Sequence, residues 1–125
     1  MNPTIGTIAW TDLTVPDAAK LKDFYRAVVG WRPEPVEMGG YQDFTMVSPE
    51  SGEQAAGVCH ARGQNASIPP VWLVYIAVAD LDASIGQCER LGGRVIAGPH
   101  ALGTGRFCVI QDPAKAVCAL YQSSQ

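Results

Sequence analysis

Cys59 and His60 stand side by side, and a thiol beside an imidazole is the pairing of a nucleophile with its base. Successive strand residues point to opposite faces, so these two cannot easily hydrogen-bond unless the strand bulges there. His60 is then either a catalytic group or the anchor of the segment Ala61-Arg62-Gly63-Gln64-Asn65. Arg62 in that segment is placed to clamp a ligand carboxylate or to pair with an acidic neighbour. Asp12 is the other candidate for acid–base work. Buried beside Trp10, its pKa would rise and it would act as a general base; otherwise it is a partly wet carboxylate bonded to an Arg or a backbone group. Other residues bind rather than react. Trp10, Tyr75 and Tyr121, with Val71, are expected on one face at period two. There they would stack on a planar or apolar ligand, or fill a face closed by a partner subunit. Cys59 joins the ligand-binding candidates. Gly103-Thr104-Gly105 has no helix after it and no Lys nearby, so it reads as a hairpin turn over the site, not a phosphate cradle. His100, just before it, is expected to be exposed.

Composition limits what these residues can serve. The chain has 125 residues, 47% hydrophobic and 17% charged, which suits one globular domain able to bury a core. Its longest apolar run, Val71 to Ala79, is far short of the roughly 20 residues of a membrane helix. A net charge of −3 and the absence of any Lys/Arg run speak against a nucleic-acid partner. No secretory signal is visible. The four cysteines form no CxxC pair, so they read as small buried thiols in a reducing cytoplasm.

The elements that must position these residues occur twice. Val15-Pro16-Asp17 returns as Val78-Ala79-Asp80, and Gly30 returns as Gly93, both 63 positions later. Two halves follow, 5–60 and 71–122, with 61–70 as the linker. In the first, Ile5 to Leu13 reads as a strand. A helix capped by Asp17 follows, with Leu21, Phe24, Tyr25 and Val28 at helical spacing and Gly30 at its end. Trp31–Glu37, Tyr41–Ser48 and Ala55–His60 read as three further strands. In the second half Val71–Val78 is the strand. Asp80 or Asp82 caps a helix that carries Leu81, Ile85, Cys88 and Leu91 on one side. Arg94–Ala97, Arg106–Gln111 and Val117–Gln122 complete it. Trp72, of opposite parity to the pocket residues, is expected under a helix. The fold class is α+β, as two βαβββ modules with helices on one face and the other free to line a cavity.

Two such modules, with Asp17…Phe24-Tyr25…Gly30-Trp31, Val78-Ala79-Asp80-Leu81-Asp82…Gly92-Gly93 and Asp112-Pro113…Leu120-Tyr121, resemble the vicinal oxygen chelate superfamily of glyoxalases, bleomycin-resistance proteins and extradiol dioxygenases. The segment Gly57 to Trp72 is similar to that of small bacterial glyoxalase-like members. The resemblance implies a curved mixed sheet forming a half-barrel around a concave site, and a homodimer. Metal-using members hold their ion with ligands on the first and last strand of each module. Here those positions carry Trp10, Gly57, Leu73 and Ala119, none of which has a side-chain donor for a divalent cation. The two histidines, His60 and His100, have no metal-binding spacing. No cofactor is therefore expected, with a divalent metal at relocated ligands as the alternative. The leading expectation is metal-independent binding or sequestration of a small molecule. A lyase or isomerase acting on a small carbonyl compound, with Asp12 as base or a relocated metal, is a second reading. A degenerate accessory subunit is a third.

Overall fold

The computed structural model describes residues 2–124, which contain eight strands and two helices in an α+β arrangement. The chain divides into two compact units, residues 11–72 and residues 2–10 with 73–124.

The first unit takes most of β1 (Ile8–Val15), then α1 (Ala18–Val29), β2 (Arg32–Glu37), β3 (Gln42–Val47) and β4 (Gln54–His60). β1 runs parallel to β4, β4 antiparallel to β3, and β3 antiparallel to β2. Asp17 starts α1 by accepting the Lys20 N–H at 3.0 Å. Gly30 ends it in the left-handed region (φ 88°), its N–H bonded to the Arg26 carbonyl. The face of α1 with Ala18, Leu21 and Tyr25 packs on Leu13, Val15, Phe44, Met46 and Val58. Phe24 and Val28, expected on that face, are exposed instead. Trp72 lies where its parity predicts: its indole N–H donates to the Tyr25 hydroxyl at 3.1 Å, beside Trp31.

The second unit contains β5 (Trp72–Ala77), apart from Trp72 itself, then α2 (Leu81–Arg90), β6 (Arg94–Leu102), β7 (Gly105–Gln111) and β8 (Val117–Gln122). β5 is parallel to β8, β8 antiparallel to β7, and β7 antiparallel to β6. Asp80, not Asp82, caps α2, accepting the Ala83 N–H at 3.1 Å, while Asp82 pairs with Arg106. The Gln122 side chain takes the Leu81 N–H at 2.7 Å. Leu81, Ile76, Ile85, Val95, Cys108 and Leu120 form the core under α2. Leu91, expected on the buried side, falls just past the helix and is exposed.

Two strand boundaries differ from expectation by three residues or more, the others by at most two. β1 starts at Ile8 rather than Ile5, because Thr4 to Thr7 form a turn closed by the Thr7 N–H on the Thr4 carbonyl, with Gly6 at φ 86°. β6 continues past Ala97 to Leu102, because register shifts around Gly98 carry the pairing through the irregular stretch. No helix among the described residues is long and apolar enough to cross a membrane.

Candidate functional site

The second unit holds a cavity of about 390 Å³. Trp10, Tyr75 and Tyr121 line it from β1, β5 and β8, together with Leu102 at the end of β6. Asn2, Pro3 and Ala9 supply the rest. Strand alternation explains the gathering. Ile76 packs under α2, so Leu73, Tyr75 and Ala77 turn to the helix-free face. Tyr75 pairs in register with Ala119 and Ala77 with Tyr121, so β8 adds its aromatic ring to the same face. Phe107 backs Tyr75 with ring centroids 5.8 Å apart. Gly105 gives Tyr121 its place: a Cβ there would collide with the Gln122 carbonyl and touch the Tyr121 ring. Among the described residues, none of the lining side chains is charged. His100, expected to be exposed, is half-buried and rests on Phe107 at 5.9 Å.

The helix-free face of the first unit has the opposite character. Asp12, Thr14 and Asp43 are buried there. Asp43 gathers three donors. Its Oδ1 accepts the His60 main-chain N–H at 2.9 Å and faces His60 Nδ1 at 3.2 Å, and its carboxylate takes the Cys59 thiol. Cys59 and His60, expected to be kept apart by strand alternation, thus meet at a shared carboxylate. His60 is the last residue of β4, where its ring is free to fold back. Burial, then the charges of Asp12 and Asp43, push the Cys59 thiol far above its ordinary value. It is held protonated, which removes it as a thiolate nucleophile. The His60 ring meets Tyr41 edge-on at 5.5 Å, and the exposed Arg62 guanidinium lies 4.0 Å over the Tyr41 ring. In the short 3-10 turn Gly63–Asn65, Asn65 Oδ1 is buried with no hydrogen-bond partner among the described residues.

The positions where the resemblance would put a metal do not fit one. Leu73 and Ala119 are wholly buried apolar residues, Gly57 is buried without a side chain, and Trp10 lines the aromatic cavity. No group of three or more His, Cys, Asp or Glu among the described residues is arranged to hold an ion.

The family model described as Glyoxalase/Bleomycin resistance protein/Dioxygenase superfamily matches residues 7–117. The chain belongs to this superfamily. It is 34% identical over 94% of its length to the anthracycline biosynthesis protein DnrV of Streptomyces peucetius, covering 47% of that protein. To CFP32 of Mycobacterium tuberculosis it is 33% identical over 96% of its length, again covering 47%. The chain thus spans about half the length of the curated relatives it matches. Among solved structures, the methylmalonyl-CoA epimerase of Streptomyces coelicolor in complex with 2-nitronate-propionyl-CoA aligns with a TM-score of 0.58. That match has 18% identity and covers 98% of this chain and 100% of the other, which shows a shared fold.

Within this superfamily fold, the residues expected from sequence fall into two groups. Trp10, Tyr75 and Tyr121 share one cavity. Asp12, Cys59, His60 and Arg62 belong to the other compact unit, and Val71 lines no part of the cavity. Two residues of the polar group were not foreseen. Asp43 joins Cys59 to His60, and Tyr41 holds Arg62. The available signal was Asp43 itself, a carboxylate beside Phe44 inside a run read as a strand.

Proposed function

We propose that this chain binds a neutral, planar organic molecule in the Trp10–Tyr75–Tyr121 cavity, without a metal ion. The observation that carries this reading is the cavity itself. Three aromatic side chains from three strands line an open cavity of about 390 Å³, within the usual range of small-molecule sites, roughly 300–1,000 Å³. The absence of charged side chains among the described lining residues disfavours an ionic ligand, which would lose its hydration without a partner. Flat aromatic faces favour a flat one. DnrV is named for anthracycline biosynthesis, and anthracyclines are fused-ring molecules of the type such a lining stacks on. The donor-free family positions support binding that does not run through a metal.

The test is a titration with 1,8-dihydroxyanthraquinone as a neutral flat probe, followed by calorimetry and tryptophan fluorescence. Trp10→Ala and Tyr121→Ala should each weaken binding roughly tenfold or more, the loss from removing one buried aromatic contact. Chelator treatment should leave binding unchanged. Binding that ignores both substitutions, or that needs an added divalent ion, would overturn the reading.

A second reading, an isomerase with Asp12 as its base, has two supports: the burial of Asp12 and the epimerases that share this fold. Its test is proton exchange at the carbon next to a thioester carbonyl, watched by NMR in deuterated water. Exchange that persists at full rate in Asp12→Asn would remove Asp12 from the chemistry.

A further inference from the structure

We propose that Arg62, His60 and Tyr41 form a second binding site, distinct from the aromatic cavity, for a small organic 2-hydroxy carboxylate. Asp43 orients the His60 ring. Its Oδ1 accepts the main-chain N–H at 2.9 Å and lies 3.2 Å from Nδ1. A carboxylate only accepts, so Nδ1 carries a proton and Nε2 is the ring nitrogen left for a ligand. The His60 side chain keeps a partial exposure of 16%.

Arg62 is brought to the same place by a three-residue turn, its N–H bonded to the His60 carbonyl at 2.9 Å. Both side chains then rest on Tyr41, His60 against the ring edge-on and Arg62 over its face at 4.0 Å. A guanidinium lying on a ring is held by the π face while its in-plane N–H fork still points outwards. Among the described residues no carboxylate pairs with Arg62. The result is a preordered two-point receptor. The Arg62 fork takes a carboxylate bidentately, and His60 Nε2 hydrogen-bonds a neighbouring hydroxyl, which can donate or accept. A loop anchor alone requires only the His60 main-chain bond to Asp43. It uses neither Nε2 nor the stacked guanidinium.

The chain has only two histidines, so the imidazole NMR signals of His60 and His100 give a probe and an internal control in one spectrum. The 15N-labelled protein is titrated with lactate at constant pH and ionic strength, and separately with lactamide, which keeps the hydroxyl but lacks the charge. The expected result is a saturable shift of the His60 signal with lactate, none with lactamide, and His100 unmoved. Arg62→Gln should weaken the lactate response roughly tenfold or more, the scale of a charge-assisted hydrogen-bond pair. Arg62→Lys should also be weakened, since it keeps the charge but loses the fork. Arg62 is exposed, so both variants should fold. A shift that never saturates, an equal response to lactamide, or Arg62→Gln titrating like the parent would each overturn the proposal. The cavity reading is tested by a different probe and different substitutions, so either reading can fail alone.

Discussion

The two units share one order of elements and one pattern of strand pairing, and carry opposite chemistry. In the first, Asp12 stands opposite Gly57 and Thr14 opposite Cys59. In the second, Tyr75 stands opposite Ala119 and Ala77 opposite Tyr121. The next strand extends both rows. Phe44 opposite Val58 brings Asp43 beside Cys59, where the second unit has Phe107 opposite Tyr121. Thr45 faces Gly57 as Val109 faces Ala119. Position by position, Asp12 matches Tyr75, Cys59 matches Tyr121 and Asp43 matches Phe107. A buried polar row must satisfy its own donors and acceptors, and Asp43 does so by taking three donors. An aromatic row has fewer such obligations, confined to the Tyr75 and Tyr121 hydroxyls, and the second unit keeps open space beside its rings. The fold therefore sets where the two faces are, and the side chains decide which one keeps an open cavity and which one forms a bonded network.

The largest test of this contrast is truncation at the matched pair Asp43 and Phe107. Phe107 is 3% exposed, and Phe107→Ala should cost about 4 kcal/mol through lost burial and a cavity. Asp43→Ala should cost about 3 kcal/mol by a different route, because it leaves the His60 N–H and the Cys59 thiol without their acceptor. Urea unfolding measures both. The rescues separate the mechanisms. Phe107→Leu should recover most of its loss by restoring volume, whereas Asp43→Leu, which also restores volume, should recover little. If Asp43→Leu is as stable as the parent, the polar row is packing and not a network.

A smaller effect follows from the thiols. Burial, and then the neighbouring Cys88 and Cys118, push the Cys108 thiol up to about 11. The Cys59 thiol is raised as well, by burial and by the charges of Asp12 and Asp43. An unfolded thiol titrates near about 8.5. Above that pH the unfolded chain has released protons that the folded chain still holds, so stability falls as pH rises. The contribution is whole below about 8.5 and is lost progressively as pH climbs towards the folded values. The urea midpoint should therefore drop between about pH 8 and about pH 10. Cys108→Ala should flatten its share of that slope. Asp43→Asn should do the same for Cys59 and speed its alkylation, since one of the charges holding the thiol protonated is gone. An unchanged alkylation rate in Asp43→Asn would separate Cys59 from Asp43.

Much of this contrast was legible in the chain. The repeat at 63 positions gave the element order twice, because caps and helix-ending glycines are local signals that each half carries for itself. Period-two reading placed Trp10, Tyr75 and Tyr121 together, because the strands bearing them hold regular alternation. The polar network was not legible. Asp43 acquires its role from pairing between β3 and β4, and no pattern within Gln42–Val47 says which strand will lie beside it. The His60 ring folds back because the strand ends there, and strand ends are where alternation stops constraining side chains. The surplus length of β6 was hidden for a similar reason: its irregular register breaks the period that reveals a strand.

The smallest expected difference between the units lies at their helix starts, and its smallness is the point. Asp17 accepts the Lys20 N–H at 3.0 Å and Asp80 the Ala83 N–H at 3.1 Å, three residues on in each case. Each carboxylate satisfies a donor the first helical turn cannot satisfy itself, and both caps are exposed. Asp17→Ala and Asp80→Ala should each cost about 1 kcal/mol. Leu81, which follows Asp80, has a further acceptor for its N–H in the Gln122 side chain at 2.7 Å, and this bond outlasts the loss of Asp80. Equal losses in thermal or urea unfolding would mean that the duplicated scaffold kept its local energetics while its two helix-free faces diverged. A clearly larger loss at Asp17 would instead mean that the Gln122 bond carries part of the second cap, so that the divergence reached the frame and not only the faces.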